Sequence, residues 1–260
     1  MKKFAMTALC LVVASTASAK LGFQADVTAG MWLPSVGGDD NIVGFDVTDE
    51  LKLGADTGLF LQARFQHPIP FIPNVALRQT NVQLSGNPDI ADLAGFNFAG
   101  IKLPNDATKL DMAVDLSNTD FTLFWGVPLV PLADIHFGAS VKLLRGGVEL
   151  SGAGQSEDEQ FMLPLPMFYL GAEVPLFFIP GIDAEVGSNA QFLPLGDSSV
   201  LDYQVFTRAY LPLPTNIIAK VGAEAGWRSF SIQLDGDSID EDLHSQLGFS
   251  GAYIGLTGRF

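Results

Sequence analysis

"GAYIGLTGRF", residues 251–260, alternates without a break. One parity carries Ala252, Ile254, Leu256, Gly258 and Phe260, and the other Gly251, Tyr253, Gly255, Thr257 and Arg259. A two-residue period belongs to a β-strand with one apolar face. By itself it leaves open whether that face meets a protein core or lipid. The expectation for the chain's end is that this last strand closes the fold.

The other end narrows the choice. "MKKFAMTALCLVVASTASA" has Lys2 and Lys3, an apolar run from Phe4 to Ala14, and Ala17-Ser18-Ala19 ahead of Lys20. That is the pattern of a secretory signal peptide, residues 1–19, cleaved after Ala19. The run is too short to span a bilayer as a helix. Leu9 before Cys10 does not suit lipoprotein processing. Cys10 is the only cysteine, so disulfides, cysteine metal sites and cysteine nucleophiles are all excluded from 20–260, which reads as one domain.

The formal net charge is -15. This excludes the basic surface that nucleic-acid binding needs. The acids concentrate in segments that read as long loops, 34–56, 86–108, 152–160, 193–199 and 234–247, where Lys52 and Lys102 are the only lysines or arginines. Between them recur short proline-rich connections at 67–74, 127–134, 174–181 and 211–216. Proline cannot donate to a ladder, so these mark strand ends. Short turns on one side and long loops on the other give ten strands. Eight follow if two of the runs extend from loops without crossing.

The runs alternate as required. Phe23, Ala25, Val27, Ala29 and Met31 oppose Gln24, Asp26 and Thr28; Leu59, Leu61, Ala63 and Phe65 oppose Gln62 and Arg64. Phe121, Leu123 and Trp125 oppose Asp120 and Thr122; Ile135, Phe137, Ala139 and Val141 oppose His136, Ser140 and Lys142. The third strand, "VALRQTNVQL", has no assignable parity. A soluble sandwich does not need an apolar face on every strand joined by turns as greasy as "PLFFIP". An antiparallel transmembrane β-barrel predicts all of it, and closure leaves no unpaired edge in lipid. A membrane helix over 161–182 fails on Pro164, Pro166, Pro175 and Pro180, at roughly 3 kcal/mol for each proline in a helix interior.

The signal peptide, "GAEAGWRSF" at 222–230, "GAYIGLTGRF" and terminal Phe260 resemble a family of small Gram-negative outer-membrane β-barrels whose function is largely unassigned. The resemblance covers most of residues 20–260. It implies the outer membrane as the location, and outer-membrane lipids and the barrel-assembly machinery as partners. It also implies that Ile254, Leu256 and Phe260 form the insertion signal, although an aromatic is commoner at the position of Gly258.

No nucleophile elbow, HExxH, phosphate loop or paired-histidine motif is present. His136 and Ser140 share a parity, as in outer-membrane lipid hydrolases. At a spacing of four, roughly 13 Å along a strand, they read as polar lining. His67 lies in a turn and His244 in an acidic loop. The expected lumen lining is Asp26, Arg64, Lys142, Glu173, Asp183, Glu185, Asp202, Arg208, Lys220, Glu224, Arg228 and Arg259, mixed in sign, which favours a narrow or plugged interior. "DGDSIDED" at 235–242 departs from EF-hand spacing, leaving Asp235, Asp237, Asp240 and Asp242 as weak divalent-cation candidates. Phe65, Trp125, Phe137 and Phe260 near the short turns, and Phe192 and Trp227 toward the loops, suit interfacial girdles. The expected function is non-catalytic and cofactor-free: a structural protein, a surface-binding protein or a narrow pore. A transporter of small hydrophobic or cationic solutes comes second. A lipid-modifying enzyme using His136 or His244 comes third.

Overall fold

The computed structural model describes residues 22–37, 41–42, 45–89, 110–127, 132–152, 155–176, 183–196, 198–212, 219–234 and 245–260. The expected signal peptide, His244 and the four candidate cation ligands at 235–242 lie outside them. The strands are β1 (Gln24–Val36), β2 (Asn41–Ile42), β3 (Phe45–Asp46), β4 (Leu53–Ala55), β5 (Gly58–Gln66), β6 (Asn74–Asn81), β7 (Gln83–Gly86) and β8 (Asp111–Asp115). They continue with β9 (Asn118–Gly126), β10 (Asp134–Gly152), β11 (Gln155–Pro175), β12 (Asp183–Leu195), β13 (Ser198–Tyr210), β14 (Lys220–Leu234) and β15 (Ser245–Arg259). Among the described residues there is no helix.

Ten strands close a ring in the order β11, β12, β13, β14, β15, β1, β5, β6, β9, β10, with β10 returning to β11. Every pairing is antiparallel. The seam joins the last strand to the first from Asp26↔Arg259 to Val36↔Phe249, and Ala25 and Phe260 exchange two main-chain hydrogen bonds of 3.0 and 2.9 Å. The expected ten-stranded antiparallel barrel is the observed one.

The 161–182 stretch, weighed as a helix, is instead β-strand as far as Pro175, the end of β11. The unassigned third strand resolves too: on β6, Arg78 and Thr80 are buried inside, and Leu77 faces out. Two segments expected as long loops are largely hydrogen-bonded strand. Of 152–160, residues 155–160 continue the pairing with β10, which runs to Gly152↔Gln155, and within 193–199 Leu195 pairs with Ser198 beside Gly196 at φ 66. A strand with a solvated face has the polar, glycine-rich composition of a loop, which is why composition did not separate them.

The strands change character along their length. On β10 the outward residues Ile135, Phe137, Ala139, Val141 and Leu143 are apolar, and the inward His136, Ser140 and Lys142 are polar. Beyond Leu143 the pattern inverts: Arg145 and Glu149 face out, while Leu144, Val148 and Leu150 are buried inside. On β14 the outward series passes from Trp227 to Ser229 as the inward one passes from Arg228 to Phe230. On β15 the paired level is the step from Ala252 to Ser250. The lower section is built for a surrounding of lipid, with Leu256 72 % exposed on its outside. The upper section has the apolar-in, polar-out pattern of a water-soluble sheet. At about 3.3 Å per residue β10 extends roughly 60 Å, about twice a bilayer's hydrocarbon thickness.

That upper section carries its own hydrophobic core. β8 pairs with the outer end of β10, β7 with β8 and β4 with β7, so a sheet rises from one side of the ring. Leu53, Leu84, Met112, Val114, Leu144, Val148 and Leu150 from this sheet meet Trp32, Phe230 and Phe249 from the opposite strands. A turn adds Val47 and Leu51, both fully buried. Asp46 fixes it by accepting the Asp49 and Thr48 amides at 2.7 and 2.8 Å. These hydrogen bonds, that from Asp49 foremost, hold its carboxyl below the usual carboxylate range. Leu84 is wholly enclosed, so Leu84→Ala is expected to cost about 3 kcal/mol. Urea unfolding followed by a probe in the upper section should show this loss, with the heat-modifiable migration of the barrel unchanged.

Candidate functional site

The lumen of the lower section is occupied by charged side chains in two layers. In the upper layer Arg78 donates to Asp120 at 2.6 and 2.8 Å and to Asp202 at 2.8 Å. Lys142, with no exposed surface, bridges the same two carboxylates at 2.6 and 2.8 Å. Arg228 forks onto Asp202 at 3.1 and 2.8 Å and reaches Thr80 at 2.7 Å. Three cations thus share two carboxylates.

The lower layer reverses that balance. Arg64 makes a two-pronged pair with Glu173 and a 3.5 Å contact with Asp26. Arg259 joins Asp26 at 2.6 Å to Glu185 at 2.8 Å. Arg208 joins Glu185 at 2.5 Å to Glu224 at 2.6 Å, and Glu224 also accepts the Tyr253 hydroxyl at 2.9 Å. Here three cations meet four carboxylates, so the two layers together are neutral. Buried charges survive only when paired in this way.

Most of these pairs join neighbouring strands along the wall, as Arg78–Asp120 and Arg208–Glu224 do, and four cross the bore: Arg78–Asp202, Lys142–Asp202, Arg64–Glu173 and Arg259–Glu185. β6 and β13 lie five strands apart in a ring of ten, so Arg78–Asp202 spans the full bore. Arg64–Glu173 joins β5 to β11, and Arg259–Glu185 joins β15 to β12. A void of about 30 Å³ bordered by Arg78, Asp120 and Gln191 remains between the layers, room for one water. Phe206 lies between the layers, 4.8 Å from Arg208, while above the network aromatic faces cover two of the cations, with Trp32 4.9 Å from Arg228 and Phe230 5.3 Å from Lys142. The apolar core begins there.

Ten of the twelve expected lumen residues belong to this network. Asp183 and Lys220 pair with each other at the exposed rim. Arg78 and Asp120, absent from the expected lining, are central to it. Asp120 lies on the polar parity of its strand and was available to the pattern; Arg78 lies on the strand whose parity could not be read.

His136 and Ser140 do not meet. Nε2 of His136 lies 3.3 Å from Nε2 of Gln66, and its ring packs edge-on against Phe124. Ser140 bonds with Thr122 at 2.9 Å and accepts from Gln191 at 3.2 Å. Ile254 and Leu256 face outward beside the seam. Exterior aromatics pair at Phe23–Phe65, Trp125–Phe137 and Phe168–Phe192. Among the described residues no cluster of three or more His, Cys, Asp or Glu is placed to hold a metal.

No protein-family model and no curated protein matches the chain. Among solved structures, it is similar to Ail, the attachment invasion locus protein of Yersinia pestis, at 10 % identity over 92 % of this chain and 99 % of that one, with a TM-score of 0.35. The transport unit of the autotransporter AIDA-I from Escherichia coli matches at 10 % identity over 97 % and 96 %, with a TM-score of 0.38. A Pseudomonas aeruginosa FadL homologue matches at 10 % over 92 % and 89 %, with a TM-score of 0.34. The barrel assignment rests on the strand pairing described above.

Proposed function

We propose that this chain is an outer-membrane β-barrel whose lumen is shut by its own ion pairs, and that it acts outside the bilayer as a structural or surface-binding protein without catalysis. The observation that carries this is the Arg78–Asp202 pair between opposite strands. An ion crossing the barrel has to part forked arginine–carboxylate pairs in a water-poor interior. Removing one partner from such a pair costs several kcal/mol. The raised sheet of β10, β11, β8, β7 and β4 supplies the external surface. The lipid-type exterior and the leader pattern expected at 1–19 support location in the outer membrane, and Ile254, Leu256 and Phe260 would be what the assembly machinery reads.

The test is conductance. Residues 20–260, refolded into lipid vesicles, shown folded there by heat-modifiable migration and protected from protease over the membrane part, then fused into a planar bilayer, should give no discrete current steps from low to high salt. Regular, cation-selective steps would overturn the reading in favour of a narrow pore.

A further inference from the structure

Resting on that surface-binding reading, we propose that the outer edge of β11 takes up an extended, positively charged polypeptide segment as an added strand. The ladder between β11 and β12 stops at Phe168↔Phe192, while β11 itself continues to Gln155. Pro164 and Pro166 explain the stop. The ladder to β10 runs unbroken past both, so the missing N–H groups lie on the β12 side. Residues 155–163 contain no proline and, among the described residues, pair only with β10. Their second row of main-chain donors and acceptors is a template for another strand.

Three features select the occupant. The opposite edge of this sheet, β4, has three residues and keeps Leu53 buried, so it offers no comparable length. On β11, Phe161 and Leu163 share the inner parity of buried Leu165 and Met167 yet are 42 % and 46 % exposed, and Met162 on the outer face is 62 % exposed. An added strand therefore finds apolar contacts on both sides of the sheet. The run Glu157-Asp158-Glu159 has no base within it. These acids disfavour pairing with a second copy, whose own acids would be brought alongside, and favour a basic segment.

The probe is a synthetic peptide of about nine residues alternating lysine and valine, labelled for fluorescence anisotropy, added to refolded residues 20–260 in detergent. Two comparators are the glutamate/valine peptide and the lysine/valine peptide N-methylated at alternate residues, which keeps charge and removes edge donors. The expected result is saturable binding of the first peptide, weakened about tenfold or more by N-methylation and by Gln160→Pro. Gln160 shares the parity of the two prolines, so its replacement should spare the ladder to β10, as checked by heat-modifiable migration. Equal binding of the N-methylated peptide, or binding indifferent to Gln160→Pro, would mean attraction to the acids alone and would overturn the proposal. So would no binding at all. A silent barrel that ignores the peptide leaves the closed-barrel reading standing; a conducting barrel overturns that reading whatever the peptide does.

Discussion

Asp202→Asn is expected to lower the stability of the folded barrel by about 3–5 kcal/mol. Asp202 is almost fully buried and is approached by Arg78, Lys142 and Arg228 together. Asparagine keeps the shape and removes the charge, leaving three cations around Asp120 in a layer that already has one cation in excess. The cost is the desolvation of charge left unpaired, not the loss of one contact. Urea unfolding in a lipid bicelle, with tryptophan fluorescence as the signal, measures it. Asp183→Asn is the control, because its pair with Lys220 is exposed at the rim and such pairs contribute about 1 kcal/mol or less. Any current that Asp202→Asn acquires should be anion-selective, since the freed charge is positive. Equal midpoints for the two variants would show that the network adds nothing to the fold.

Gly30→Ala is expected to prevent the barrel from closing. Gly30 stands opposite Gly255 across the seam between β1 and β15. A Cβ on Gly30 would lie 2.3 Å from the main-chain oxygen of Ile254 and 2.7 Å from Cα of Gly255, with the Phe60 ring at 2.8 Å. The ring could turn aside; the backbone of the neighbouring strand cannot without losing ladder bonds. Because the seam is what converts a sheet into a barrel, damage there should be all or none. Heat-modifiable migration after refolding should show no folded band. Gly54→Ala, where nothing lies within 4 Å of the added carbon, should fold as well as the parent chain. A normal folded band for Gly30→Ala would mean that the seam is wider than described.

The barrel was legible because lipid and water impose opposite rules on alternate residues. "IHFGASVK" and "GAYIGLTGRF" obey those rules, and the proline connections mark where each strand ends. The lining was legible wherever a charge sat between apolar neighbours, as Lys142 does between Val141 and Leu143. It failed at Arg78, whose flanking Gln79 and Asn81 put polar groups on both parities near the strand's outer end. The upper core was missed for a different reason. Leu144, Val148 and Leu150 have the opposite parity from the apolar residues below them, and a search for one constant face ends at Leu143. The inversion itself is a signal: a switch of the apolar parity within one unbroken strand marks where the surroundings change from lipid to water.

A spin-label scan along β10 tests the account most directly, by comparing collisions with oxygen, which partitions into lipid, and with a water-soluble nickel chelate. Labels at positions 137, 139, 141 and 143 should meet oxygen; labels at 145, 147 and 149 should meet the chelate; labels at 140 and 144, inside the barrel, should meet neither. Strong chelate contact at position 140 would show a water-filled lumen and contradict the closed barrel.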